Sequence, residues 1–215
     1  MTIVPLVPKD FAAKSSAAKN SAARNAGTGP SRAAVPPEIQ TADLGGFRAA
    51  LRHLAGGVSV VTTGRGASRT GLVATSVSSL SAEPPTLMFG LNLGSSSFPV
   101  LREHGAFAVN FLAADQKEIA DRFAGRGGEK GPARYEGARW TEGRTGAALL
   151  DGALASLDCE VEELIERHSH AIVIGRIRGI RLGSDAAALL YWRGDYERLG
   201  WMPEEAATAL GLRAY

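Results

Sequence analysis

Apolar residues recur at three- and four-residue spacing as Leu44, Phe47, Leu51 and Leu54, with Arg48 and Arg52 on the other side. That spacing predicts an amphipathic helix, capped by Asp43 and stopped by Gly56-Gly57. Residues 58–63, VSVVTT, are β-branched enough for a buried strand. A turn over residues 64–69 leads into residues 70–80, TGLVATSVSSL, predicted as its antiparallel hairpin partner. Side chains alternate along an extended strand, so Ala74, Ser76 and Ser78 are expected on one face and Thr75, Val77 and Ser79 on the other. Glu83-Pro84-Pro85 joins this strand to a second run that ends at Asn92, after which Ser95, Ser96 and Ser97 follow.

The pattern then predicts a short helix over 98–103, a strand over 106–111 (AFAVNF), and a helix from about 115 to 123 with Ile119 and Phe123 on one side. Residues 125–146 carry no clear period and are expected to form a mobile loop, with Tyr135 and Trp140 within it. A long irregular segment inside a compact domain is more often functional than ornamental. Strand-like segments over 153–163, 171–182 and 187–192 complete the chain. Strands at this spacing, with helices as minor additions, predict a mainly β domain with flanking helices, built as a small antiparallel barrel.

Residues 1–40 differ from the rest. Between Phe11 and Ala34 the chain is almost entirely Ala, Ser, Asn, Gly and basic residues with no acid, a composition with little to bury. An extension that is disordered or loosely attached is expected there, with the domain spanning 41–215. Its acid-poor, Arg- and Ser-containing make-up is that of a transit peptide, but no sustained amphipathic pattern supports one.

A formal net charge of +2 gives no argument for nucleic acid. The single cysteine, Cys159, excludes an internal disulfide and reads as a small core residue. No apolar run approaches the roughly 18 residues that span a bilayer, so a cytoplasmic protein is expected. Gly64-x-Gly66 precedes a strand rather than the helix a dinucleotide phosphate loop requires, and GRGGEKG at 125–131 lacks the ending of a Walker loop. No Gly-x-Ser-x-Gly elbow is present. His168 and His170, two apart on an expected strand, would share a face with Glu162, Glu163 or Glu166 nearby. A catalytic zinc needs three protein ligands and no second cluster is visible, so no metal site is expected.

The residues with the densest chemistry are the hydroxyls and amides at 75–79 and 92–97. Short hydroxyls allow a flat polar ligand to approach the backbone, and the N–H groups of a Gly-Ser loop can hold anionic oxygens. An ordinary sheet with a polar solvent face has the same composition.

Taken in order, the blocks FRAALRHLAGGVSVVTT, GLVATSVSSLSAEPPTLMFGLN, SSSFPVLREHGAFAVNFLAADQKEIADRFAG, GAALLDGALASLDCEVEE, HAIVIGRI and LLYWRGDYERL resemble the short-chain flavin reductases, partner components of two-component flavin-dependent monooxygenases. The resemblance covers residues 47–199 and implies a split β-barrel homodimer that moves hydride from NADH, or less often NADPH, to FAD or FMN. Reduced flavin then passes to a separate monooxygenase. On matching positions it implies flavin contacts at Thr75, Ser76, Ser78 and Ser79, a phosphate end at Asn92, Ser95, Ser96 and Ser97, and further contacts at Asn110, Arg122 and Phe123. It also implies that His170 faces the nicotinamide, with Tyr191, Arg193, Gly194 and Tyr196 near the dinucleotide. Ser169 stands where many relatives carry an acid. Two alternatives share the same cradle: a flavin-binding sensor or carrier without turnover, and a split-barrel oxidase that retains its flavin.

Overall fold

A computed structural model describes residues 41–183 and 185–200. The expected N-terminal extension, residues 1–40, lies outside them, as does Trp201. In chain order the elements are α1 (Leu44–Leu51), β1 (Gly56–Gly57), β2 (Ser59–Thr63), β3 (Thr70–Ala74), β4 (Ser78–Ala82) and β5 (Pro85–Asn92). Then come α2 (Ser97–His104), β6 (Ala106–Phe111), α3 (Lys117–Phe123), β7 (Trp140–Glu142), β8 (Ala148–Leu150), β9 (Ala155–Arg167), β10 (His170–Leu182), β11 (Ala188–Trp192) and β12 (Asp195–Leu199).

Seven strands form one antiparallel sheet in the order β3-β2-β6-β9-β10-β5-β4. The two end strands, β3 and β4, are consecutive in the chain yet do not pair with each other. The sheet curls into a split barrel, and the link Thr75–Ser76–Val77 joins its two end strands. This corrects the expected single strand over 70–80. The chain leaves one edge of the sheet at Ala74 and joins the opposite edge at Ser78, so strict alternation does not carry through residues 75–77.

Strand β2 is buried at every position, which accounts for its β-branched run. Val61 points into the barrel with Leu87, Phe89, Leu91, Phe107, Val109, Cys159 and Val173. Val60 points the other way, into a second core with Leu112, Phe123, Tyr135, Leu150 and Leu189. The rings of Phe89 and Phe107 meet edge to face at 5.2 Å, an arrangement aromatic pairs favour.

The second core is covered by a segment expected to be loop. Trp140 lies against Tyr135 (4.9 Å) and Phe123 (5.5 Å), and its indole N–H donates to the Tyr135 carbonyl at 3.0 Å. That packing lets β7 and β8 pair as a short hairpin. Trp140 is thus half-buried against that core, and residues 131–135 form a 3-10 turn.

A small sheet, β1-β11-β12, attaches to the barrel through Val58, whose N–H donates to Leu189 and whose carbonyl accepts from Leu112. Helix α1 begins as predicted, with Asp43 Oδ1 accepting from Gly46 N at 2.6 Å. None of its residues is buried, so the apolar face of Leu44, Phe47, Leu51 and Leu54 stays exposed among the described residues. Helix α2 ends at Gly105, whose φ of 67° is the left-handed terminator that glycine adopts without strain. Among the described residues no helix is long and apolar enough to cross a membrane.

Candidate functional site

The split in the barrel opens onto a cleft of about 240 Å3. Val58, Val73 and Ala74 form its floor, Thr75 its rim, and Tyr191 and Tyr196 the wall from the small sheet. Ala124 and Arg126, just past α3, close the remaining side. Gly56 lies hard against the rim, since a Cβ there would stand 2.9 Å from Thr75 Cβ.

Tyr191 and Tyr196 are cross-strand partners in the β11–β12 hairpin, and their rings meet edge to face at 5.5 Å. Tyr196 is flanked by Lys117 Nζ at 5.7 Å and the Arg126 guanidinium at 5.1 Å from its centroid. Asp121 Oδ1 pairs with Arg126 Nη1 at 2.9 Å. Burial, reinforced by the Asp121 carboxylate, pushes the Tyr196 hydroxyl up to about 12. It is therefore a neutral hydrogen-bonding group across the physiological range.

From the rim the polar surface continues along β5. Ser76 Oγ accepts from Gly90 N at 3.1 Å, satisfying an amide where β4 no longer covers β5. Asn92 ends β5 opposite His170 in the β5–β10 register, and its Oδ1 accepts from Gly94 N at 2.7 Å. Ser95 N donates to the Asn92 carbonyl, Ser95 Oγ accepts from Ser97 N at 3.2 Å, and Ser96 is the exposed N-cap of α2. Leu93 N donates to the Ser169 carbonyl at 3.0 Å, tying this loop to the β9–β10 turn. The imidazole of His170 is exposed, with Nδ1 2.9 Å from Ser169 Oγ. Ser169, standing where many relatives carry an acid, thus places a hydroxyl against that ring.

The structure thus brings Thr75, Tyr191 and Tyr196 to one cleft, and Ser76, Asn92, Ser95, Ser96 and His170 to the β5 end beside it. Ser78 and Ser79 lie beyond the link on β4, both exposed. Arg193 and Gly194 form the β11–β12 turn and line a separate groove against α1. Arg122 is half-buried, its guanidinium beside Gly137.

Three predicted contact side chains face inward instead. Ser97 is fully buried, donating to the Gly71 carbonyl at 2.9 Å and bonded to Thr70 Oγ1 at 3.2 Å. Asn110 is also fully buried. Its Nδ2 donates to the carbonyls of Val60 (3.2 Å) and Ala148 (3.3 Å), and its Oδ1 accepts from Leu150 N and Ser156 Oγ, both at 2.8 Å. Phe123 belongs to the second core and sits over Gly71, where an added Cβ would meet its ring at 2.6 Å. Both polar side chains satisfy the barrel's own groups, as buried polar atoms must.

His168 is not a strand partner of His170. It occupies the β9–β10 turn with φ 53°, so the two rings do not share a strand face. Among the described residues no group of three or more His, Cys, Asp or Glu is placed to hold a metal ion. Arg126, within the glycine-rich GRGGEKG stretch, is the charged cleft residue absent from the sequence expectations; its one signal is a cation three residues past the end of α3.

A split barrel with a hydroxyl-rimmed, tyrosine-walled cleft defines a class of small ligand-binding β domains. Residues 51–200 match the family described as flavin reductase like domain, and the chain belongs to that family. It is 33% identical over 182 residues to the FMN reductase (NADH) RutF of Pseudomonas syringae pv. syringae (strain B728a), spanning 84% of this chain and 99% of the relative. Among solved structures it is similar to BorF, the flavin reductase component of a bacterial two-component tryptophan halogenase. That likeness has a TM-score of 0.68 and 33% identity over 73% of this chain and 98% of BorF. The NADH:FAD oxidoreductase SgcE6 of Streptomyces globisporus C-1027 is similar with a TM-score of 0.68 and 26% identity, over 76% of this chain and 99% of that one.

Proposed function

We propose that this protein is an NADH:flavin oxidoreductase that reduces FMN or FAD and releases the reduced flavin to a separate flavin-dependent oxygenase. The observation that carries the reading is the coincidence of Thr75, Tyr191 and Tyr196 in one cleft at the barrel opening, in a chain whose family relatives are named as flavin reductases.

The residues present fit a flavin. The cleft is smaller than the roughly 300–1,000 Å3 of pockets that enclose a whole ligand, so it takes a ring system and leaves the remainder outside. Thr75 and Ser76 at the rim, and Asn92, Ser95 and Ser96 past it, are the polar groups that would hold the rest. When both are bound, the flavin ring takes up the hydride that the nicotinamide gives up, so that one is reduced and the other oxidised.

The protein's part is alignment. Stacking walls at Tyr191 and Tyr196 fix a ring plane, and holding two reactants in register removes much of the entropic barrier. His170, steadied by Ser169 Oγ, is the nicotinamide-facing group in this reading. Arg126, paired with Asp121 but lining the cleft, is the cation placed nearest the negative charge that reduction creates. Hydroxyls rather than lysines along residues 76–96 hold anionic oxygens loosely, which suits a flavin that must leave.

The protein is proposed to act as a homodimer. Ile172, Ile180 and Leu182 along β10 and the apolar face of α1 are the exposed surfaces that support this. The test of function is NADH oxidation, followed by absorbance, with FMN and FAD in turn and with NADPH in place of NADH. Turnover that requires added flavin is expected; stoichiometric yellow protein without turnover, or no activity with any pair, sinks the reading.

A further inference from the structure

His170 opens β10 between two strands, opposite Arg167 of β9 and Asn92 of β5. The residue before it is anchored through its backbone, since the Ser169 carbonyl accepts from Leu93 N at 3.0 Å. From that anchored backbone the hydroxyl reaches the ring, with Oγ 2.9 Å from Nδ1. Among the described residues neither Ser169 Oγ nor the imidazole has another hydrogen-bond partner. The charged and titratable groups on the elements around it are His168 in the turn, Arg167 and Glu166 on β9, and Arg102 on α2. Glu166, the acid next to it in the β9–β10 register, pairs with Arg102, and β5 presents the neutral Asn92. The contact that sets the proton on this ring is therefore the one with a hydroxyl.

We infer that Ser169 is a positioning residue that holds His170 as its Nε2–H tautomer and so makes it an uncharged donor to the nicotinamide carboxamide oxygen. The inference rests on the nicotinamide-facing role given to His170 above. Basicity decides the direction of the bond. A neutral imidazole carries one donor nitrogen and one acceptor, and its bare nitrogen is a far stronger base than a hydroxyl oxygen. Ser169 therefore donates to Nδ1, and the ring proton stays on Nε2. Charge decides what this is worth to the reaction. The nicotinamide becomes positive as it gives up hydride, so a donor with no positive charge of its own is the better neighbour. A carboxylate in place of Ser169 would reverse the arrangement. It would accept from Nδ1, leave Nε2 bare in the neutral ring, and favour the imidazolium; Nε2 would then donate only from a charged ring.

Two measurements on the full chain test this. The first is nitrogen-15 NMR of the histidine rings with neither flavin nor nicotinamide present, His170 being assigned by the signals that His170→Gln removes. At about pH 9, where an ordinary imidazole is neutral, Nδ1 should resonate as a bare nitrogen in the parent and as a protonated one in Ser169→Asp. The tautomer stands or falls on that spectrum alone, so its failure is distinguishable from failure of the reductase reading. The second is stopped-flow reduction of bound flavin by NADH between about pH 6 and pH 9, a span that covers imidazole titration. The parent should hold or gain rate as pH rises, whereas Ser169→Asp should lose about tenfold over the same span as its charged donor disappears. Ser169→Ala should be about three- to tenfold slower than the parent, the worth of one ordinary hydrogen bond, with flavin affinity unchanged. Ser169→Thr, which keeps the hydroxyl, should recover most of that rate. A protonated Nδ1 in the parent, a Ser169→Asp profile parallel to the parent's, or a Ser169→Ala rate equal to the parent's would overturn the inference.

Discussion

Ser76 Oγ and the Gly90 amide meet at 3.1 Å across the opening of the barrel, where β5, still paired with β10 on one edge, is no longer covered by β4 on the other. The contact holds the Thr75–Val77 link against β5 and so sets the shape of the cleft rim. Ser76→Ala should cost only the ordinary worth of such a bond, about 0.5–1.5 kcal/mol, in urea unfolding. Flavin affinity, measured by quenching of flavin fluorescence, should fall at least severalfold. Unchanged affinity would remove Ser76 from the site.

Asn110 should behave in the opposite way. Asn110→Ala leaves the Leu150 amide and Ser156 hydroxyl without their buried acceptor, at about 1–3 kcal/mol for each group. A loss of roughly 2–6 kcal/mol in urea unfolding is expected, while flavin affinity of the remaining folded protein stays near that of the parent. A variant of parental stability that no longer binds flavin would return Asn110 to the list of direct contacts.

His170→Ala separates the two half-sites. In stopped flow, reduction of bound flavin by NADH should slow at least about tenfold, the effect of losing one aligned contact worth some 1.4 kcal/mol. Flavin titration should be little changed. Equal loss in both measurements would show that the imidazole supports the flavin instead.

Cys159 is fully buried inside the barrel, and burial together with Asp158 pushes its thiol up to about 12. It is the only cysteine in the chain. Native protein should therefore show no reaction with Ellman's reagent at about pH 8, far below the pH at which this thiol ionises, and one thiol per chain after denaturation. Reaction at the rate of free cysteine in the native state would contradict the packing around it.

Tyr196 gives a pH signature. Its folded-state value, about 12, lies above the roughly 10 of an unfolded tyrosine. Folding thus favours the neutral phenol, and the stabilisation it adds is complete below about pH 10 and lost as pH rises from there towards 12. Tyrosinate absorbance should show an ionisation near pH 12 that Tyr196→Phe removes. An unchanged titration curve in that variant would place the phenol in solvent.

The parts of the fold legible in sequence were those governed by local pattern. VSVVTT became a strand buried on both faces, Asp43 capped its helix, and the last long strands lie near their predicted bounds. What escaped was decided by distant contacts. The break at Thr75–Val77 leaves no mark in a run of Ser, Thr and Val, because each suits either strand edge. Strands β7 and β8 exist because Trp140 packs on Phe123 and Tyr135, and β12, DYERL, is too polar to stand out from a loop. At the site, Ser97 and Asn110 look in sequence like ligand contacts, since a buried polar side chain and a binding one are the same residue types. Only the hydrogen bonds to Gly71 and Leu150 distinguish them.

The split itself exposes β3 as an outer strand, a template on which foreign chains can add. Two of its carbonyls are held by side chains: Tyr135 Oη donates to Thr70 at 2.6 Å, and both Arg134 Nη1 and Ser97 Oγ donate to Gly71. Side chains bound at the start of this strand disfavour addition of a foreign chain there. Mutations that strip Tyr135 of its hydroxyl would be felt first in shelf life rather than in turnover.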